Sequence, residues 1–293
     1  MIDTPLIKIN RDQETMGKFP FYITILSLLL FTGGCGLPSM SRIVDGLNRQ
    51  TDLELVCDGA PSYLLMLDSM IASNPDDVSL LLNGTKAYSA YATVMPECGK
   101  PHRAAKLSEK ARIYGIDLLA ETTGVTPDLS IEELDRVLKT IDGGEVEYLF
   151  WGAYGWSTWI KYQQGASAAI IEVPSIVKIM ERVIEIDETV YYGGAHIFLG
   201  VFHSIKPAAY GGKPELSRHH FEKALTITDH RFLPIQVAYA ETYGKMLFDR
   251  ELYEKLLREV LAFELSSAPD FTLANLVAKK QARRLLDGID DYF

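Results

Sequence analysis

The chain has 293 residues, a formal net charge of −10 at pH 7 and 47% hydrophobic residues. An acidic balance of this size argues against a surface for nucleic acid or for an anionic membrane, because neither attracts an acidic protein. The length is sufficient for one extended domain with a continuous core.

The N-terminus has the pattern of a secretory signal. Basic residues precede an uncharged, mostly apolar run at 19–31. This run is too short for a transmembrane helix, which needs roughly 20 residues, and matches the apolar region of a signal peptide. Met1 and Met16 are alternative starts, since 16–35 forms a complete signal by itself.

Small residues follow the apolar run and end at Cys35, in the order Thr32-Gly33-Gly34-Cys35. This segment resembles a bacterial lipobox, in which the cysteine is acylated and becomes the mature N-terminus. Thr32 departs from the leucine that is most usual there, and the alternative is an ordinary signal peptide with an incidental cysteine. The expected organisation is a signal peptide at 1–35, a tether at 36–56 and a helical domain at 57–293.

The two remaining cysteines are Cys57 and Cys98. They lie near the start of one predicted helix and just past the end of the next, so they could meet at one end of a helical hairpin. A disulfide and two unpaired thiols both remain open.

Hydrophobic periodicity is helical almost throughout, and no segment alternates with the period of two that strands require. An irregular connection is predicted at 122–144, with one short helix at 131–138. A capping box formed by Ser130 and Glu133 opens that helix. The predicted fold class is therefore all-α.

The segment from 193 to 225 reads as a helix, a looped turn and a second helix. Its Leu199-Gly200 and Phe221-x-x-Ala224 pairs have the spacing of a tetratricopeptide (TPR) repeat, although the match is partial. Small residues for close packing recur in the first helix of four such units: Gly84, Gly155, Gly200 and Ala240. We therefore expect an α-solenoid of about four degenerate, TPR-like helix hairpins, which bury a continuous core by stacking.

The third unit carries a more specific resemblance. It is similar to the T component (TatT) of TRAP transporters through these residues: Gly193, Gly194, His196, Leu199, Gly200, Pro207, Gly211, Gly212, His220, Phe221 and Ala224. The resemblance implies a periplasmic lipoprotein of TPR-like fold that associates with a substrate-binding protein, and a homo-trimer. Lipid anchoring to a bacterial membrane is expected, with the outer membrane favoured and the inner one left open.

The expected function is an accessory protein of TRAP-type solute uptake, which binds the substrate-binding protein and an apolar ligand. The alternative is a general TPR lipoprotein scaffold in cell-envelope assembly. Neighbouring genes for a TRAP binding protein and permease would favour the first.

The candidate binding surface is aromatic. All three tryptophans of the chain lie between 151 and 159. With Tyr154 and Gly155 in the Leu-Gly places of the repeat, Trp151 packs inward and Trp156 and Trp159 face a concave groove. The predicted ligand or partner residues are Tyr88, Tyr91, Trp156, Trp159, Val201, Glu241 and Lys245. The alternative is a fully buried core helix.

No pattern indicates catalysis. The glycine pairs follow no strand and precede no Lys-Ser/Thr, so turn and packing roles are favoured over a phosphate site. His196 and His203 are two helical turns apart, which is unsuited to zinc; His196 and His220 are expected at helix contacts. We expect no enzyme activity, cofactor or metal.

Overall fold

A computed structural model describes residues 46–163 and 165–293. The predicted signal peptide, Cys35 and the first part of the tether lie outside these residues. Secondary structure in the described part of the chain is helical, without a strand. The α-helices that lie wholly within it are α1 (Leu53–Ser73), α2 (Val78–Val94), α3 (Ala104–Thr123), α4 (Ile131–Leu138), α5 (Val146–Lys161), α6 (Ser167–Ile170), α7 (Val173–Asp187), α8 (Val190–His203), α9 (Pro214–Ile227), α10 (Pro234–Tyr239), α11 (Arg250–Ala262) and α12 (Thr272–Asp287).

Helix α1 begins where the Asp52 carboxylate accepts a hydrogen bond from the Leu55 amide at 2.9 Å. It starts four residues before the expected domain boundary at 57. Its length and mean hydropathy of 1.2 would allow it to cross a membrane, but core helices pass the same test. Leu64, Leu67 and Ile71 are buried along one side of α1. This side packs against α2, so α1 is built into the helical domain.

A disulfide joins Cys57 of α1 to Cys98 beyond the end of α2, with 5.7 Å between the Cα atoms. The first turns of α1 therefore lie beside the last turns of α2, and the two helices run antiparallel. The Tyr91 hydroxyl donates to the Cys57 carbonyl at 2.6 Å and adds a second link at the same level.

Helices α2, α3 and α5 approach each other through glycines. A Cβ atom on Gly152 would lie 2.8 Å from the Gly115 carbonyl oxygen, and one on Gly155 would lie 2.5 Å from the Ala111 carbonyl. A Cβ on Gly84 would lie 2.8 Å from the Ile71 and Tyr114 side chains. Gly84 and Gly155 thus occupy the close-packing positions that the sequence predicts, and the Gly115–Gly152 contact adds one that it missed.

The predicted irregular connection contains α4 with the bounds expected from the sequence, and its capping box is confirmed. The Glu133 amide donates to the Ser130 hydroxyl at 3.3 Å, and the Glu133 carboxylate accepts from the Ser130 amide at 2.9 Å. Reciprocal bonds of this kind satisfy amide groups that the first helical turn leaves without a partner.

Helices α8 and α9 form the hairpin that carries the motif of the third unit. Gly200 lies against the fully buried Phe221, where an added Cβ would be 3.0 Å from the ring. The Ser217 hydroxyl donates to the Gly200 carbonyl at 2.7 Å. In the connecting turn after Pro207, a Cβ on Gly212 would lie 1.6 Å from the Lys206 carbonyl oxygen, so only glycine fits there. Gly200 thus serves helix packing, and Gly212 serves the turn.

The final helices, α10 to α12, form a second buried cluster with α9. Helix α10 continues into one π-helical turn, Ala240–Gly244, in which Ala240 is fully buried. Most of the long helices in the described part of the chain pack against the next long helix in sequence, whereas the short helix α4 packs against α7. The assignment of these hairpins to four TPR-like repeats stays a prediction.

Candidate functional site

An apolar cavity of about 840 Å³ opens between the first helices and the central aromatic segment. Its floor comes from α1 and α2, one wall from the start of α5, and another from the α7–α8 junction. The apolar lining residues are Leu47, Leu55, Val56, Ala60, Tyr63, Leu64, Ala87, Ala90, Tyr91, Val94, Val146, Trp151, Val190, Tyr191, Tyr192 and Leu273. The volume falls within the range of small-molecule sites, which are concave and mostly apolar.

Two of the three described charged side chains at this cavity form an ion pair with each other, and the third accepts hydrogen bonds. The Lys86 ammonium pairs with the Glu147 carboxylate at 2.7 Å and lies 5.0 Å from the Trp151 ring centroid. The Asp187 carboxylate accepts hydrogen bonds from the amide and the hydroxyl of Thr189 at 2.9 and 2.7 Å. A charged ligand would lose its hydration against a mostly apolar lining, so the lining favours an apolar molecule.

The cavity exists because small side chains face each other across α1 and α2. Gly59 and Ala60 lie on α1, and Ala87 and Ala90 lie one turn apart on α2. Small residues on paired helices usually allow close approach, but here the Trp151, Tyr191 and Tyr192 rings line the same space. The small residues are visible in the sequence, but they were not predicted to line a cavity.

The predicted position of Trp156 on a concave groove is wrong. Trp156 is only 1% exposed and its indole N–H donates to the Glu172 carboxylate, so it faces the α6–α7 connection. Trp151 is buried in the core, as expected, and its ring also lines the cavity. Gly155 must face α3 because of its contact with Ala111, and this fixes the rotation of α5 and turns Trp156 into the core. Trp159 is partly buried under the Arg112 guanidinium, 4.6 Å from its ring centroid.

The other predicted binding residues do not converge on one surface. Tyr91 lines the cavity, whereas Tyr88 is buried against Tyr114 with ring centroids 5.7 Å apart. Val201 packs against the second core cluster. Glu241 is exposed on the π-helical turn, and the Lys245 ammonium lies 3.4 Å from the centroid of the Tyr292 ring. None of these three lines the cavity.

His196 and His220, both expected at helix contacts, lie against each other between α8 and α9. Their Nδ1 atoms are 2.8 Å apart, and His196 Nε2 lies 3.2 Å from a Glu188 carboxylate oxygen. His196 is 2% exposed, and burial lowers the pKa of both imidazoles, that of His220 to about 4. The charged and titratable groups facing the pair are Glu188, Lys223, His203 and His219.

Acid should weaken the fold through this histidine pair. The unfolded chain takes up protons at His220 near pH 6.5, whereas the folded chain does so only near pH 4. The stabilisation is therefore present above pH 6.5 and decreases as the pH falls towards 4. We expect His220 to account for a loss of unfolding free energy on the order of 2 kcal/mol between pH 7 and 5.

Denaturant midpoints at pH 7 and at pH 5 measure this loss of stability. His220→Gln should reduce the loss, whereas the exposed His102→Gln should leave it intact; equal losses in both variants would contradict the assignment.

Within residues 46–163 and 165–293, no group of three or more His, Cys, Asp or Glu side chains is arranged to hold a metal ion. The geometry thus defines an all-helical protein with an apolar cavity.

Comparison with known proteins shows the family to which this all-helical protein belongs. The family model described as TRAP transporter T-component matches residues 49–293, so the chain belongs to the TRAP transporter T-component family. An uncharacterized protein of Treponema pallidum (strain Nichols) is 23% identical over 264 residues, which cover 84% of this chain and 81% of the relative. The family is one of transporter accessory components and not of enzymes, and it indicates a periplasmic or membrane-associated protein. The resemblance seen in the third unit is confirmed.

Proposed function

We propose that this T component binds an apolar ligand in the cavity between α1, α2 and α5, and docks the substrate-binding protein of a TRAP transporter. The observation that carries the ligand assignment is the cavity itself, with its apolar lining and its compensated Lys86–Glu147 pair. The family assignment supports the partner. In this function the protein shelters an apolar solute beside the binding protein during uptake.

A neutral, fluorescent apolar probe, N-phenylnaphthylamine, tests the ligand site. We expect saturable binding of one probe per chain to the purified protein. Ala90→Trp should abolish it, because Ala90 is exposed on the cavity floor and an indole there fills the space. Ala208→Trp is the matched control, since Ala208 is exposed in the turn between α8 and α9, away from the cavity. Equal probe binding in both variants would contradict the assignment.

We propose further that Cys35 carries the lipid that holds the protein on the periplasmic side of a bacterial membrane. The lipobox-like Thr32-Gly33-Gly34-Cys35 segment supports this assignment. The homo-trimer stays an expectation from the family resemblance.

Replacing Cys35 by alanine should release the protein into the soluble periplasmic fraction. Each buried methylene contributes about 0.8 kcal/mol to anchoring, so losing several acyl chains removes stable attachment. Fractionation followed by mass spectrometry of the N-terminus measures both the location and the modification. Wild-type protein that lacks lipid, or a variant that stays with the membrane, would contradict the anchor.

A further inference from the structure

The junction between α7 and α8 contains three consecutive residues in the left-handed region of backbone conformation. Tyr191, Tyr192 and Gly193 have φ angles of 44°, 62° and 72°. Glycine adopts this conformation freely, but bulky side chains rarely do, and such residues persist only where the surrounding structure holds them. We call Tyr191–Gly193 the tyrosine bend.

The tyrosine bend supplies two rings to the cavity wall. The Tyr191 ring lies 4.4 Å from the Trp151 ring, measured between centroids, and so contacts the wall built by α5. The Tyr192 ring lies 4.7 Å from that of Phe271, which precedes α12. The bend therefore closes the cavity between α5 and the C-terminal helices, and a regular helix at these positions would point the two rings elsewhere.

Side chains on both sides of the bend hold it in place. Glu188 precedes it and His196 follows it, with 3.2 Å between the carboxylate oxygen and His196 Nε2. Helix α9 secures both ends, because His220 Nδ1 is 2.8 Å from His196 Nδ1 and the Lys223 ammonium is 3.4 Å from Glu188. With His196 Nε2–H donating to the carboxylate, His196 Nδ1 accepts the Nδ1–H of a neutral His220.

We propose that the Glu188–His196–His220 chain of hydrogen bonds positions the tyrosine bend, and thereby sets the shape and the ligand affinity of the cavity. His196 acts through Tyr191 and Tyr192 and is a positioning residue. The effect on affinity rests on the proposed function, whereas the effect on the bend does not.

Hydrogen exchange at 189–195 and probe affinity, measured on the same proteins, test this proposal. Glu188→Ala removes the carboxylate from a half-exposed position, so the variant is expected to fold. We expect faster exchange in the bend and a loss of N-phenylnaphthylamine affinity of about fivefold to tenfold, which is the order of the net contribution of one typical intramolecular hydrogen bond.

Two matched variants separate positioning from general loosening of the hairpin. Glu188→Gln keeps an oxygen that can accept from His196 and should restore both readouts. Ser217→Ala removes a buried bond to the Gly200 carbonyl in the same helix pair, away from the bend, and should leave both readouts near wild type.

Unchanged exchange at 189–195 in Glu188→Ala would overturn the proposal, as would equal effects of Glu188→Ala and Ser217→Ala. Faster exchange with unchanged affinity would overturn the link between the bend and the cavity. If wild-type protein bound no probe while Glu188→Ala loosened the bend, the positioning role would be supported and the proposed ligand site refuted.

Discussion

Replacing Cys57 and Cys98 together by serine should lower the free energy of unfolding by about 4 kcal/mol. The two cysteines are 41 residues apart in sequence. A cross-link over a loop of this length lowers the conformational entropy of the unfolded chain, which stabilises the fold by about 4 kcal/mol. The disulfide also fixes the start of α1 against the end of α2, the two helices that form the cavity floor.

Denaturant unfolding of oxidised wild type, reduced wild type and the double variant measures this effect. The two forms without the disulfide should have similar midpoints, well below that of the oxidised protein, and reductant should not alter the variant further. A midpoint for oxidised wild type equal to that of the variant would show that the bond contributes nothing to stability. Mass spectrometry of the oxidised protein is the control that the bond is present.

Trp156→Ala should cost about 3–5 kcal/mol of folding free energy, since it removes a large buried side chain and leaves a cavity in the core. The loss includes the hydrogen bond from the indole N–H to Glu172, whose carboxylate also pairs with Arg112 at 3.0 Å. At temperatures where the variant is folded, its affinity for the apolar probe should stay near wild type, because Trp156 does not line the cavity.

Thermal melting and probe titration on the same variant test both statements. Trp159→Ala is the control, since that ring is only partly buried and should cost less stability. An unshifted melting temperature combined with lost probe binding would contradict the core position and indicate that Trp156 faces a binding groove.

Local sequence signals predicted local structure well. The capping box of Ser130 and Glu133 specifies the start of α4 through bonds within one turn. Small residues such as Gly84, Gly155 and Gly200 correctly predicted helix contacts, because a glycine inside a helix usually allows a neighbouring helix to approach closely. His196 and His220 lie at helix contacts, as their places in the hairpin predicted, but their contact with each other was not predicted.

The rotation of α5 and the cavity were not predictable in the same way. An aromatic helix such as 148–159 is apolar on every side, so periodicity does not say which ring faces the core. Gly155 packing against the Ala111 carbonyl decides it, and this is a contact between distant residues. The cavity combines Leu47 from one end of the chain with Leu273 from the other, while the tyrosine bend breaks helical periodicity altogether.

Direct binding to a TRAP substrate-binding protein tests whether this chain works as the T component of a TRAP uptake system. Isothermal titration of the purified protein with the TRAP substrate-binding protein from the same genome is the measurement, and a periplasmic binding protein of another transporter class is the control. We expect a saturable complex with the TRAP binding protein alone. No detectable binding at protein concentrations of about 100 μM, where even a weak complex would form, would contradict this function. Equal binding to both proteins would contradict it as well.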